Sequence, residues 1–189
     1  MKIFIIEHLE KKLWKWCFIE YKHISKTVGK ENLWFTNIKN EKEAEKLKIY
    51  GKVFKDSVKK IKLNKACILD PESDKTLTPE KAKVFDYFIF GGILGDYPPK
   101  KRTKAELTPF IKDAKVFNIG KKQMSTDNAV YTVKQIIEGK KIEDLKFEEN
   151  ISIPLREGEE VSLPYLYNIV DKKPFMSEEL IKHLKKKGF

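Results

Sequence analysis

Five short apolar segments alternate with segments of helical periodicity along most of the chain, and this alternation constrains the fold more than any other feature. The strand candidates are residues 2–6, 33–36, 65–69, 87–90 and 116–119. Their apolar runs are nearly continuous, which is typical of strands buried on both faces of a parallel sheet. Strands and helices in this order predict an α/β fold, with a mostly parallel sheet and helices on both of its faces.

Helix starts are indicated by capping residues and by changes of period. Apolar residues at three- and four-residue steps predict a helix from Leu9 to about His23. Side chains that can cap a helix mark further starts at Asn40, Thr78, Thr103 and residues 126–128. Thr103 and Glu106 have the spacing of a capping box, which predicts a helix that ends before residue 112.

The last part of the chain differs from the rest. From residue 147 onward three prolines interrupt the pattern, and no motif there carries chemistry. We therefore predict one domain over residues 1–150 and an extension, residues 151–189, that packs on it. The residues expected to make this contact are Ile151, Ile153, Leu163, Tyr165 and Leu166. A last basic helix is predicted to begin near Ser177.

The net charge of +11 is compatible with two interpretations. It makes attraction to RNA, ribosomes or acidic surfaces physically plausible. However, only Arg102 and Arg156 are arginines, whereas bidentate recognition of phosphate or guanine favours arginine over lysine. A surface rich in Lys and Glu is also a compositional feature of hyperthermophile proteins. The charge alone does not decide between RNA binding and composition.

Hydropathy and cysteine usage indicate an intracellular protein. No apolar run approaches the roughly 18 residues that span a bilayer, and charges follow soon after the N-terminus where a signal peptide would stay apolar. We expect a cytoplasmic protein without a membrane partner. Cys17 and Cys67 lie in apolar surroundings and outside any Cys/His cluster, so we expect buried reduced thiols and no metal site.

Two strand candidates run directly into unusual turns. The strand at residues 87–90 is followed by three glycines within residues 91–95, and the strand at residues 116–119 is followed by Gly120 and a polar loop to a helix start. In an open α/β sheet, ligands bind beyond the carboxyl ends of the strands, which predicts a small-molecule site here. Glycine after a strand is also compatible with a simple turn. The dinucleotide and P-loop fingerprints are absent.

The two turns resemble the cofactor loops of SPOUT-class methyltransferases. Residues 91–96 match a GG-x-LGD turn, and residues 120–129 match a G-x-x-QM-[ST]-T-D-x-A turn. Further similar blocks are residues 6–10, 16–17, 20–23, 35–37, 69–71, 98–99 and 102–103. Together they resemble the branch that contains the eukaryotic SPOUT protein arginine methyltransferase of a small-subunit ribosomal protein.

This resemblance implies S-adenosylmethionine as cofactor and a sheet whose C-terminal part forms a deep trefoil knot. The cofactor-binding residues that it implies are Phe90, Gly91, Gly92, Ile93, Leu94, Gly95, Asn118, Ile119, Gly120, Gln123, Met124, Ser125 and Thr126. Gly92→Val is then predicted to fill the space of the ligand at modest cost to folding. Whether such a chain acts as a monomer or a homodimer stays open.

The acceptor of the methyl group decides which residues act in catalysis. An arginine acceptor needs carboxylates to hold its guanidinium, and Glu7 and Asp96 are the first candidates, with Asp127 third. An RNA acceptor would instead use Arg102 near a phosphate and His8 as a base. We prefer a protein substrate, ribosomal by resemblance. The alternatives are a methyltransferase of ribosomal or transfer RNA and a non-catalytic module that binds ribosomes or RNA. Helix capping is an equally good interpretation of Glu7.

Overall fold

The structure is a computed structural model that describes residues 1–95, 100–156 and 158–187. Six strands form its main sheet: β1 Ile3–His8, β2 Leu33–Thr36, β3 Lys52–Val53, β4 Ala66–Leu69, β5 Tyr87–Gly92 and β6 Lys115–Phe117. The spatial order is β3-β2-β1-β5-β4-β6, and every neighbouring pair is parallel. The predicted α/β class and parallel sheet are therefore confirmed. The two-residue edge strand β3 was not predicted.

Within the described residues, six α-helices accompany the strands. They are α1 Lys15–Val28, α2 Glu41–Leu47, α3 Pro79–Ala82, α4 Arg102–Glu106, α5 Thr126–Ile137 and α6 Glu178–Lys187. Two predicted caps are confirmed, since Asn40 Oδ1 accepts the Glu43 N–H at 3.2 Å and Thr78 Oγ1 accepts the Lys81 N–H at 3.4 Å. Over the described ranges, no helix combines the length and the apolar character needed to cross a membrane.

The two faces of the sheet are covered differently. Residues such as Phe4 and Ile6 pack against α1, α2, α3 and α5 in one large core. Their neighbours Ile3 and Ile5 project to the other side, because successive residues of a strand alternate between faces. There the cover consists of shorter segments, which include Val58 in a single 3₁₀ turn. The prediction of helices on both faces is therefore correct in full for one face only.

Helix α1 begins six residues later than predicted, at Lys15 instead of Leu9. Tertiary hydrogen bonds anchor the intervening loop to the end of β5 and the first glycine loop. The N–H of Leu9 donates to Gly92 O at 3.1 Å, and Glu10 Oε1 accepts the N–H of Leu94 at 3.1 Å. The conformation of residues 9–14 is therefore set by these tertiary hydrogen bonds and not by the helical spacing of their apolar side chains.

Helix α4 lacks the predicted capping box. It begins at Arg102, after Lys101 in a left-handed backbone conformation with φ of 52°, and no side chain caps it. Glu106 bonds to Arg102 instead, with 2.7 Å between its Oε1 and the arginine Nε. An ion pair one turn along the helix has replaced the cap.

The C-terminal segment forms strands that were not predicted. Strands β7 Phe147–Arg156 and β8 Glu159–Val170 pair as an antiparallel hairpin, to which β9 Lys173–Pro174 adds a short third strand. Strand β7 extends across the predicted domain boundary at residue 150. Prolines usually interrupt a sheet, but Pro154 lies in β7, an edge strand of this sheet, where no second partner needs its missing N–H.

The hairpin and α6 pack on the outer side of α1. Their shared apolar cluster is Ile19, Ile151, Ile153, Val161, Leu163, Tyr167, Leu180 and Leu184. Of the five predicted contact residues, Ile151, Ile153 and Leu163 are confirmed as buried, and Tyr165 packs at the margin of the same cluster. Leu166 does not belong to this cluster, and its N–H donates to Gln123 O instead. The C-terminal segment is closely packed against the body of the fold.

Both cysteines are buried and free, as predicted. Burial raises the pKa of the Cys67 thiol to about 12 and raises that of Cys17 further. Buried protonated thiols are poor nucleophiles, so these two residues belong to the core.

Candidate active site

A cavity of about 390 Å³ lies at the carboxyl ends of three neighbouring strands, β5, β4 and β6. It is lined by Leu69, Asp70, Pro71, Glu72, Phe90, Gly91, Ile93, Lys100, Lys101, Arg102, Thr103, Ile119, Gly120, Lys121, Lys122, Gln123, Met124, Thr126 and Ala129. Its volume is in the range of small-molecule sites, and its lining is mostly apolar at the bottom and charged at the rim. The position is the one expected for an open α/β sheet.

Most of the predicted ligand residues meet at this cavity. Phe90, Gly91, Ile93, Ile119, Gly120, Gln123, Met124 and Thr126 line it. Gly120 has φ of 108°, and a Cβ at this position would project into open space. The chain can thus bring a bare stretch of backbone to the cavity wall where only glycine is free of strain.

Five other predicted residues lie beside the cavity instead of in its wall: Gly92, Leu94, Gly95, Asn118 and Ser125. Asn118 shapes the second loop from within, since its Oδ1 accepts the Gly120 N–H at 3.0 Å and its Nδ2 donates to Ser73 O at 2.7 Å. Ser125 donates to Asp127 Oδ1 at 2.7 Å, at the start of α5. These side chains support the loops.

Gly92 faces the protein core. A Cβ at this position would clash with the Tyr21 hydroxyl, lie 2.8 Å from Ile6 Cγ2 and approach the Glu7 carbonyl oxygen to 3.1 Å. The Tyr21 hydroxyl in turn lies 2.9 Å from His8 Nδ1. Gly92 is therefore required by the packing of Tyr21, and the prediction that a larger residue here would fill the ligand's space at modest cost to folding is wrong.

His8, the candidate base for an RNA acceptor, is 3% exposed behind the first loop. Burial lowers the pKa of His8, and the neighbouring carboxylates of Glu43 and Glu10 only partly oppose this effect. His8 is outside the cavity lining, and its bond to Tyr21 places it in the core.

The Glu7 carboxylate is fully buried and accepts three hydrogen bonds. Thr36 Oγ1 donates to Oε2 at 2.5 Å, Ser57 Oγ donates to Oε1 at 2.5 Å and the backbone N–H of Val58 donates to Oε2 at 2.9 Å. This network joins β1, β2 and the segment after β3. Glu7 does not cap α1, and it lies outside the cavity lining. Its catalytic role stays a prediction, as does that of Asp96, which lies outside the described residues.

Arg102 lies in the cavity wall and is held by its neighbours. Its Nη1 donates to Glu10 Oε1 at 2.6 Å, its Nη2 donates to Leu9 O at 3.0 Å and its Nε donates to Glu106. The hydrogen bond to Glu106, followed by that to Glu10, raises the pKa of Arg102. Because Glu10 also accepts the N–H of Leu94, Arg102 ties the loop after β1 to the first glycine loop. Sequence reasoning missed Glu10.

Basic residues around the cavity are largely paired with carboxylates. Lys101 Nζ lies 2.8 Å from Glu72 and Lys121 Nζ lies 3.7 Å from Asp74, while Lys122 pairs with Glu149. The hydrogen bond from Lys101 is the main cause that lowers the pKa of Glu72. The positive charge at the rim is therefore smaller than the number of lysines suggests.

A buried polar cluster lies behind the start of α5. Asp127 Oδ2 is 2.7 Å from His23 Nδ1, and His23 stacks on Phe175 with 4.5 Å between ring centroids. Glu20 lies close by and accepts the Trp16 Nε1–H at 2.7 Å. Burial, and then the charge of Asp127, raise the pKa of Glu20 well above its ordinary value.

Replacing Glu20 by glutamine should alter how stability depends on pH. Because the pKa of Glu20 is raised above 4.5, its proton stabilises the folded protein below that pH, and this contribution is lost as the pH rises through the folded-state pKa. Glutamine keeps an acceptor for Trp16 and does not ionise. We expect the unfolding free energy of Glu20→Gln, relative to wild type, to increase as the pH rises above 4.5 in urea titrations. A constant difference would contradict this.

The third wall of the cavity was missed by sequence reasoning. It is the loop after β4, Leu69 to Glu72, where Asp70 accepts hydrogen bonds from the Thr108 hydroxyl at 2.7 Å and from the Glu72 N–H at 3.0 Å. The signal was present, since Leu69, Asp70 and Pro71 form one of the similar blocks. Their place beside the other two loops follows only from the strand order. No group of three or more potential metal-ligating side chains is found within residues 1–95, 100–156 and 158–187.

Comparison with known proteins gives a consistent result. A family model described as "Protein arginine N-methyltransferase SFM1-like" matches residues 3–188. Protein arginine N-methyltransferase SFM1 of Saccharomyces cerevisiae is 36% identical over 203 aligned residues, which cover 97% of this chain and 94% of the relative. The crystal structure of the yeast arginine methyltransferase SFM1 complexed with SAM (S-adenosylmethionine) superimposes with a TM-score of 0.90 at 34% identity, covering 98% of this chain and 90% of that one.

A more distant structure, that of dual specific Trm10 from Thermococcus kodakaraensis, has a TM-score of 0.58 at 20% identity, over 76% of this chain and 96% of that one. This likeness concerns the fold alone. The family model and the yeast relative show that the chain is a methyltransferase, which confirms the predicted enzyme class. The chain belongs to the SFM1-like protein arginine N-methyltransferase family.

Proposed function

We propose that this chain transfers a methyl group from S-adenosylmethionine to an arginine side chain of a ribosomal protein. The observation that carries the proposal is the cavity at the ends of β5, β4 and β6, enclosed by loops that match the cofactor-loop pattern. It occurs in a chain that is 34% identical to a structure complexed with SAM. The ribosomal substrate rests on the resemblance of the sequence blocks.

The residues of the cavity suit such a cofactor. Phe90, Ile93, Ile119 and Met124 offer apolar contact. The open space at Gly120 lets a ligand approach the backbone of the second loop closely, where backbone groups can recognise an adenine edge without charged side chains. When bound, S-adenosylmethionine supplies an electrophilic methyl group on a sulfonium centre. The chain needs to hold the acceptor nitrogen about 3 to 3.5 Å from that carbon and to exclude water.

Recognition of a guanidinium requires carboxylates beside the cavity. Glu7 and Asp96 remain the predicted pair, with Asp127 as the third candidate, and the predicted catalytic role of Arg102 belongs to the RNA acceptor. Arg102 is already bonded to Glu10 and Glu106, so it can orient the loop after β1 while keeping its own charge neutralised. That arrangement leaves the site suited to a cationic acceptor, because an unpaired Arg102 would repel it.

An RNA acceptor has less support. The cavity rim is rich in lysine, but Lys101, Arg102, Lys121 and Lys122 are each paired with a carboxylate. The neighbouring carboxylates lower the net positive potential of the rim, which weakens its attraction for phosphate. For the same reason a non-catalytic RNA-binding module is not favoured, and it would have no need of the cavity.

The test follows a labelled methyl group. We incubate the purified protein with ribosomal subunits and with S-adenosylmethionine that carries the label in its methyl group. One half of the product is then treated with ribonuclease and the other half with protease. We expect the label to be released by protease and to be recovered in methylated arginine. Label in the RNA fraction alone would refute the arginine acceptor, and absence of label from the ribosomal proteins would refute the ribosomal substrate.

We also propose that the chain carries the trefoil knot of its fold class. The segment after β4 lies along β6 and its loop, with Asp70 N–H donating to Phe117 O at 2.9 Å and Leu77 N–H donating to Asn118 O at 2.9 Å. Between them Asn118 N–H donates to Lys75 O at 2.7 Å. These hydrogen bonds hold the segment after β4 against the end of β6 and the start of the second loop. Such close contact between the two segments supports a path in which the chain is threaded past itself. Persistent slow refolding of a urea-denatured chain after proline isomerisation is complete would accord with it.

A further inference from the structure

Three residues from distant parts of the chain converge where the two glycine loops meet. The Tyr165 hydroxyl donates to the carbonyl oxygen of Gly95 at 2.8 Å. A Cβ at Gly95 would lie 2.6 Å from Tyr165 Cε1 and 2.5 Å from Gln123 Nε2. Gly95 belongs to the first loop, Gln123 to the second and Tyr165 to β8. We call these three residues the loop seam.

Strand β8 also holds the second loop directly. The N–H of Leu166 donates to Gln123 O at 2.8 Å, and Met124 forms a parallel bridge with Leu166. Further along, the N–H of Asn168 donates to Asn128 Oδ1 at 2.8 Å in α5. Gln123 and Met124 line the cavity. Strand β8 therefore positions two residues of the cavity wall, and through Tyr165 it is also joined to the first loop.

We infer that Tyr165 is a positioning residue for the cofactor site. By joining Gly95 to the second loop, it fixes the distance between the two loops that enclose the cavity. The inference rests on the proposed function. In the described part of the first loop, residues 93–95 belong to no helix or strand, and Glu10 and Tyr165 each hold one backbone group there. A loop already in its bound position loses less entropy when a ligand binds, so affinity depends on this preorganisation.

The first test removes the hydroxyl and keeps the ring. Tyr165→Phe is expected to weaken the affinity for S-adenosylmethionine, measured by calorimetry, by about two- to tenfold, the effect of one neutral hydrogen bond. The KM for the cofactor should rise equally, while kcat at saturating cofactor and the KM for the acceptor protein stay unchanged. A purely structural role would lower the midpoint of urea unfolding and leave the affinity of the folded fraction intact.

The matched control is Tyr50→Phe. Tyr50 is also partly buried, packs on Phe18 with 5.8 Å between ring centroids and does not line the cavity. We expect it to leave the cofactor affinity at the wild-type value. Equal affinities of wild type and Tyr165→Phe would overturn the inference alone, whereas a wild-type protein with no affinity for S-adenosylmethionine would overturn the proposed function and the inference together.

The second test measures whether Gly95 and Tyr165 act through each other. Gly95→Ala places a methyl group against the Tyr165 ring, and this conflict disappears in Tyr165→Ala, where only the flexible end of Gln123 has to move. We expect Gly95→Ala to weaken cofactor binding at least about threefold more in the wild-type background than in Tyr165→Ala. Additive effects would overturn the inference. Tyr165→Phe decides the question if Tyr165→Ala does not fold.

Discussion

Replacing Gly92 by valine is expected to lower the free energy of unfolding by about 3 kcal/mol, the upper part of the range for overpacked cores. The added atoms would meet the Tyr21 hydroxyl, Ile6 Cγ2 and the Glu7 backbone. Tyr21 cannot easily move, because it is 1% exposed, bonded to His8 and stacked on Phe35 with 5.1 Å between ring centroids. Urea unfolding of the purified variant measures the effect.

Gly91→Val is the matched control. Gly91 lines the cavity, and a Cβ there would meet only the side-chain ends of Ile93 at 2.9 Å and Thr103 at 3.0 Å. We expect this variant to remain folded at a smaller cost and to lose affinity for S-adenosylmethionine, the reverse of the pattern for Gly92→Val. A wild-type unfolding midpoint for Gly92→Val would show that the core can make room and would contradict this account.

Removing the Glu7 side chain is expected to be at least as costly. In Glu7→Ala the buried N–H of Val58 loses its acceptor, which costs about 1 to 3 kcal/mol, and the Thr36 hydroxyl keeps only the Ile6 carbonyl oxygen at 3.4 Å. With the cavity left behind, we expect a loss of about 3 to 5 kcal/mol in the free energy of unfolding. Thermal and urea unfolding at equal protein concentration provide the measurement.

Glu7→Gln separates this structural role from a catalytic one. The amide oxygen can accept from Thr36 and Val58, while the amide nitrogen can donate to Ser57, whose hydroxyl is able to reverse its role. We therefore expect Glu7→Gln to remain folded. A tenfold to hundredfold lower single-turnover rate in that variant would support Glu7 as a ligand of the guanidinium, on the order expected for a lost charge-assisted hydrogen bond. An unchanged rate would assign Glu7 to the fold alone.

The difference between Gly91 and Gly92 shows what the sequence could not specify. Both follow the same apolar run, and the strand was predicted to end at Phe90. In the structure β5 continues to Gly92, so that Gly91 and Gly92 project to opposite faces of the sheet. One therefore reaches the cavity and the other the core. Pattern reasoning located the loop, but the continuation of β5 by two residues, from Phe90 to Gly92, decides which of the two glycines faces the cavity.

The five main strands were predictable because their apolar runs are unambiguous, and the parallel order followed from the intervening helices. The third cavity wall was not, because the position of β4 between β5 and β6 depends on the path of the chain through space. The start of α1 was wrong for a related reason. Leu9 and Glu10 fit a helix locally, but their hydrogen bonds to Gly92 and Leu94 come from residues more than eighty positions away.

The strand order has a consequence for how the protein is made. Strand β1 is the first to leave the ribosome, but its partner β5 is complete only when Gly92 has been made. Tyr165, which bonds to Gly95, is synthesised a further 70 residues after Gly95. At roughly 5 to 20 residues per second, that interval lasts several seconds. In a nascent chain the two glycine loops are therefore present for seconds before Tyr165, the residue that joins them, has been synthesised. Truncation before β8 would leave β7 without its partner strand, the outer side of α1 uncovered and the cavity unjoined, so incomplete chains should be prone to aggregation and degradation, and only nearly full-length chains should bind the cofactor.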